Sequence, residues 1–297
     1  MPADPAGAPP RSHQTRQDPL AVRVGLTLAA LAVLGILVVV PVVHVFYRAF
    51  APGWDAYWKA LTADKDTLKA IRVTLTVVPI AVGLNLVFGV AAAWAIARFR
   101  FRGRAFLLSL IDLPFAVSPV VAGLALVLLF GLQGYFGAWL QQHHIKILFE
   151  LPGIILATAF VTFPFVAREL IPVLEAEGPE EELAALTLGA NGWQMFWRVT
   201  LPNIKYGVLY GVILCAARAA GEFGAVYVVS GRIVGGTDTI PLRVEKLFQS
   251  FGQMPAAFAV ASLLTSLALV TLTIKALLEH LEKKRLAQLQ KEKAEEP

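Results

Sequence analysis

Apolar residues run in long uninterrupted stretches along this chain, and charged residues gather in the gaps between them. Five stretches, 24–43, 73–97, 113–132, 151–167 and 255–274, carry no charge at all. A hydrocarbon layer of about 30 Å takes about 20 helical residues at about 1.5 Å each, so each stretch predicts a membrane-crossing helix. A sixth stretch, 206–230, has the right length and is uncharged except at Arg218 and Glu222. Six crossings place the two termini on one side of the membrane.

The loops are as informative as the spans. Residues 174–205, LEAEGPEEELAALTLGANGWQMFWRVTLPNIK, are far longer than a connection requires. Proline followed by three glutamates predicts a helix start, because carboxylates complement the positive end of the helix dipole. The first helix is predicted over 179–188, with Gly189 as its C-cap, and a second over 192–199, ending before Pro202. On the opposite side the loop 231–254 contains LRVEKLF, the pattern of a short amphipathic helix at the outer surface. Residues 1–22, rich in proline and alanine, predict a disordered cytoplasmic tail, and 280–297 a charged cytoplasmic tail with helical bias. The span at 24–43 exceeds the apolar run of a cleavable signal and is expected to remain in place.

Composition agrees with this pattern. Hydrophobic residues make up 57% and charged residues 16% of the 297 positions, and the mean hydropathy is +0.65. These values exclude an ordinary soluble domain and give an all-α, polytopic membrane protein. The net charge of +5 needs no nucleic-acid partner. With the N-terminus cytoplasmic, sixteen lysines and arginines fall inside and nine outside, leaving Arg218 apart, which is the positive-inside distribution. The arginine alternation in ARFRFRGR, 97–104, is its sharpest part. Cys215, the one cysteine, lies in an apolar run and reads as a small buried hydrophobe.

Candidate chemistry then narrows the class. Arg218 and Glu222 are four apart, hence on one helix face if the span is unbroken. Counted from Tyr206, they lie about 18 and about 24 Å along it, near mid-membrane. A charge there costs about 2.5 to 3.5 kcal/mol on insertion scales, so the two either hold helices together as a pair or line an anion path. Both readings stay open. Gly207 and Gly211 form a G-x-x-x-G that admits close helix packing, and Pro114 with Pro119 predicts a kink in the third span. His143 and His144 lack a surrounding acidic or cysteine cluster, so no metal site is predicted. No G-x-x-x-x-G-K-[ST] occurs, so no nucleotide phosphate loop and no catalytic residue is assigned to this chain.

The segment LAALTLGANGWQMFWRVTLP resembles the cytoplasmic EAA loop of type I ABC-importer permeases, whose pattern is E-A-A, three residues, G, nine residues, I, one residue, L-P. Here the alanines fall on Ala184 and Ala185 and the glycine on Gly189. Val199 takes the isoleucine place, and Leu201 and Pro202 form the L-P. In the family that loop forms the coupling helix that sits in a groove of the ATPase subunit, which implies coupling to the ATPase through Glu182, Ala184, Ala185, Gly189, Leu201 and Pro202. Leu183 stands where the family has glutamate, and Glu182, one residue earlier, is expected to substitute for its polar contact with that subunit. ARAAGEFGAV followed by TDTIPL is similar to the sulfate and molybdate permeases, and IDLPFAVSPVVAGL, ATAFVTFPFVAREL and AAFAVASLL are similar to the sulfate/thiosulfate permeases, a resemblance that covers nearly the whole chain after the tail.

That resemblance implies a bacterial inner-membrane, multi-pass permease with a transmembrane domain at 23–279, whose core covers about 69–276. Its implied partners are a second, different sulfate permease, two ATP-binding cassette subunits carrying ATP and Mg, and an external sulfate-binding protein. A proton-coupled secondary transporter fits less well, because Arg218 one turn away holds Glu222 ionised and the long inner loop has no task in it. A molybdate permease pairing with itself is the nearer alternative.

Overall fold

The computed structural model describes residues 20–233 and 236–295, and among them every regular element is helical. The expected tail at 1–22 therefore lies almost wholly outside the described residues, and its last positions already belong to a helix. The chain forms two compact units divided after His44. Helix α1, Leu20–Phe50, runs across that division, with mean hydropathy 2.9 over its most apolar window and a π-helical turn at Gly35–Val39.

Beyond it come α2 (Trp54–Thr62), α3 (Lys65–Arg98), α4 (Arg104–Ala116), α5 (Pro119–Phe130), α6 (Gly137–Gln142), α7 (Leu151–Glu177) and α8 (Glu180–Thr187). They are followed by α9 (Gly192–Asn203), α10 (Lys205–Ala220), α11 (Gly224–Val229), α12 (Ile240–Gln249) and α13 (Met254–Glu295). Among the described residues four helices are long and apolar enough to cross a membrane unaided, α1, α3, α7 and α13 up to Leu278, and bent pairs raise the number to as many as six.

The two remaining predicted spans are not single helices. At 113–132 the chain breaks between α4 and α5 with a bend of 110°. Pro119 supplies the reason: it has no N–H to continue a helix and forces the residue before it out of the helical region. Ser118 accordingly sits at φ −58°, ψ 136°, Val117 is extended too, and Pro119 begins α5. The kink expected there is a complete break. The span 206–230 also stops, at Ala220, and resumes only as the short α11.

Glycines hold the second unit together. A methyl at Gly89 of α3 meets Val166 Cβ at 2.9 Å, and one at Gly211 of α10 meets Val166 Cα at 3.1 Å. Helices α3, α7 and α10 therefore cross at one level, around Val166. Gly207 approaches Leu170 and Val173 in the same way, so the G-x-x-x-G packs α10 on α7. One buried polar tie spans the same three helices. Asn85 Nδ2 donates to Thr162 Oγ1 at 2.8 Å, and the buried Cys215 lies against both.

Candidate functional site: a docking loop and two broken helices

At one end of the bundle the long loop folds as a helix, a turn and a helix. Glu180, Glu181 and Glu182 occupy the first turn of α8. Its end is a Schellman turn: Ala190 N donates to Ala185 O and Gly189 N to Leu186 O, each at 3.0 Å. Gly189 has φ +90°, the left-handed sense that a glycine accepts without penalty, and a Cβ there would meet nothing within 4 Å. Asn191 caps α9 in a reciprocal box with Gln194, a motif readable in N-x-x-Q but missed by the sequence reading.

Helix α9 does not end before Pro202, as the sequence predicted. It widens into a π turn, Phe196–Thr200, with Leu201 N bonding Phe196 O, and continues through Leu201 and Pro202 to Asn203 before a 73° bend into α10. A wider turn accommodates the proline ring, which an α turn would press against the carbonyl four residues back.

The direction of Glu182 corrects an expectation. Its carboxylate does not face outward in place of the missing motif glutamate. Oε2 takes Arg98 Nε at 2.9 Å and Oε1 takes Thr200 Oγ1 at 2.8 Å, with the side chains of Arg98 and Glu182 each only 9% exposed. Both oxygens are spent inside the chain. Leu183, in the glutamate place, is exposed instead, together with Leu186, Leu188, Trp193 and Trp197. Ala184 is exposed and Ala185 half-buried beside them. Large apolar side chains concentrated on a polar loop make this face a candidate interaction surface.

The second constellation is the pair of helix breaks. A methyl at Gly224 meets Pro119 Cβ at 3.0 Å and Val120 N at 3.4 Å, and one at Gly123 meets Ala225 O at 2.9 Å, so α5 and α11 pack start against start. Arg218 and Glu222 belong to this region. Arg218 lies in the last turn of α10, not in the middle of an unbroken helix, and Glu222 lies in the break beyond it. They remain partners: Arg218 Nη1 approaches Glu222 Oε2 to 2.7 Å as an ion pair rather than an aligned hydrogen bond. Glu222 Oε1 accepts from Ala225 N at 2.9 Å, capping the first turn of α11. The Glu222 side chain is 1% exposed whereas that of Arg218 is 34% exposed. The carboxylate is thus a fixed internal element, and the guanidinium is the group with a free side.

At the opposite end from the α8–α9 loop, α12 is buried through Ile240, Leu242 and Leu247 rather than lying loose at the surface. Arg243 Nη2 donates to Asp64 Oδ2 at 2.6 Å, and Asp64 also takes Thr67 Oγ1 and Asp66 N at the start of α3. Burial raises the Asp64 carboxyl, but these donors outweigh it and hold it below the usual carboxylate range. Asp238, fully buried, is pushed up by desolvation against the pull of Lys246, which stands 3.1 Å away. His143 Nδ1 lies 2.8 Å from Trp139 O, with the two rings stacked.

Residues 85–285 match the family described as the inner membrane component of binding-protein-dependent transport systems. The sulfate transport system permease protein CysW of Synechocystis is 52% identical over 263 residues, 88% of this chain and 95% of that protein. The CysW of Escherichia coli K12 is 51% identical, covering 82% and 83%, and its CysT 42% identical, covering 74% and 78%. Among solved structures, a bacterial ABC transporter importing alginate superposes with a TM-score of 0.70 at 18% identity, covering 89% of this chain and 96% of its own. A second structure of a bacterial alginate ABC transporter, in complex with its pentasaccharide-bound periplasmic protein, gives 0.69 at 17% identity.

Proposed function

The chain belongs to the family of binding-protein-dependent transport system inner membrane components, and from that premise we infer that it is the permease subunit of an ATP-driven ABC importer of sulfate. It is a multi-pass inner-membrane protein and a translocation component rather than a catalyst. The observation that carries the substrate is the extent of identity to sulfate transport permeases along most of the chain. Its partners are a second, related permease and an external binding protein, together with two ATP-binding subunits that hold ATP and Mg²⁺. Thiosulfate is a further cargo.

The exposed face formed by Leu183, Leu186, Leu188, Trp193 and Trp197 is where an ATP-binding subunit docks, with Ala184 and Ala185 keeping α8 thin and Gly189 turning the chain toward α9. Leu201 and Pro202 carry the loop into α10. The anion path runs past the helix breaks. Non-helical backbone at membrane depth persists only when it is covered by protein or lines a watered cavity. Arg218 offers positive charge there, while Glu222 fixes its position and keeps the anion from binding too tightly to leave. Reconstitution of the complex with its ATPase and binding protein should give ATP-dependent uptake of labelled sulfate, blocked by unlabelled sulfate and thiosulfate. Inhibition by molybdate at lower concentration than sulfate would overturn the substrate assignment.

The docking loop lies on the cytoplasmic side and the α12 end outside. Two highly exposed positions test this: Leu188 is 88% exposed in the docking loop, and Phe251 is fully exposed between α12 and α13. Leu188→Cys should react with a membrane-impermeant maleimide only in inside-out vesicles, and Phe251→Cys only in right-side-out ones. The native Cys215 is buried and should stay silent. Reaction of Leu188→Cys from outside contradicts the docking assignment.

A further inference from the structure

Arg98, the last residue of α3, ties two further helices to its guanidinium and reaches a third through Glu182. Its Nε donates to Glu182 Oε2 on α8, and its Nη1 donates to Leu174 O near the end of α7 at 2.5 Å. The other oxygen of Glu182 takes the Thr200 hydroxyl from the π turn of α9. Beside them Glu181 Oε2 takes Asn203 Nδ2 at 2.5 Å, so the inward edge of α8 is bound twice to α9 and once to α3.

We propose that Arg98 is a positioning residue that makes the docking loop and the membrane helices move as one body, through a buried Arg98–Glu182–Thr200 link. This rests on the importer reading above and deepens it. Three features argue for transmission rather than mere stability. The link is the one charged connection between α8 and a membrane-spanning helix among the described residues. It is buried, where an ion pair is strong and directional instead of being screened by water. Its planar donor fork holds two acceptors on different elements at fixed angles, which a lysine cannot do. The apolar outward side of α8 meets the partner, so force arriving there has its stiffest route into the bundle through the opposite edge, at Arg98. The same α3 carries Gly89 against Val166, so the route continues to the level where three helices cross.

The test is a ratio measured on the complete reconstituted complex: sulfate moved per ATP hydrolysed, beside hydrogen–deuterium exchange over 180–200. Arg98→Gln should lower the ratio about ten-fold while ATP hydrolysis and the amount of assembled complex stay near wild type, and exchange over 180–200 should rise. Arg98→Lys should give a partial loss. The exchange of charges, Arg98→Glu with Glu182→Arg, should recover the ratio several-fold over either single change. If Arg98→Gln fails to assemble, Thr200→Val removes one bond of the link at nearly constant volume and should lower the same ratio about three-fold. Uptake and hydrolysis falling together, an unchanged ratio, or unchanged exchange would each overturn the link as a transmitter. A wild-type complex that hydrolyses ATP without moving sulfate overturns the importer reading instead, and the exchange result still decides whether Arg98 governs the loop.

Discussion

Arg218→Ala should reduce ATP-driven sulfate uptake by about 100-fold or more, the scale of losing one charge-assisted contact of about 3 kcal/mol with nothing in its place. The guanidinium stands at the end of α10 with a third of its side chain exposed, and its partner Glu222 is buried and committed to the first turn of α11. Removing the arginine strands the buried Glu222 carboxylate with no cation beside it, and that uncompensated negative charge repels a doubly charged oxyanion. The same change destabilises the fold, since an uncompensated buried charge costs about 3 to 5 kcal/mol. A second substitution separates the two effects. Arg218→Ala with Glu222→Gln keeps a side-chain oxygen to cap α11 but removes the stranded charge, so assembly should return. Uptake should stay lost if Arg218 meets the anion. Recovery of uptake in this double variant would show that Arg218 serves only to neutralise Glu222. Arg218→Lys should keep a fraction of the activity, because the charge remains and the planar fork does not.

Gly189→Val should lower uptake at least ten-fold in a protein that still inserts at normal level. The backbone at φ +90° closes α8 by its Schellman bonds, and a β-branched side chain there costs more than the about 1 to 2 kcal/mol typical of L-residues in left-handed geometry. The open space around the position isolates the cause: a Cβ there would meet no neighbour within 4 Å. Gly189→Asn is therefore the informative control, because asparagine tolerates this conformation. Uptake restored by asparagine assigns the loss to the turn. Uptake lost with asparagine as well assigns it to a docked partner that leaves no room for a side chain. Normal uptake by Gly189→Val would remove this turn from the coupling route.

Much of this was legible in the sequence because hydropathy reports length and burial together. The helices α1, α3, α7 and α13 follow directly from their uncharged runs, and the docking loop follows from glutamates, glycine and proline at spaced positions. What failed was continuity. The run 113–132 has the composition of one span, yet Ser118 before Pro119 turns it by 110°. The run 206–230 was measured as an unbroken rod, which put Arg218 at mid-helix, whereas the helix stops two residues after it. The inward direction of Glu182 was illegible for another reason. Its partner Arg98 is 84 residues away, and no local pattern links them. Periodicity says which residues share a helix face; it does not say which distant cation will claim that face.

The crossing at Val166 sets the least separation that α3, α7 and α10 can have. A Cβ at Gly89 would lie 2.9 Å from Val166 Cβ, and one at Gly211 would lie 3.1 Å from Val166 Cα, so one valine is wedged between two glycines of different helices. Bulk added at either glycine therefore displaces α7 from its neighbour, and the cost falls on the packing of the whole bundle rather than on one pair of side chains.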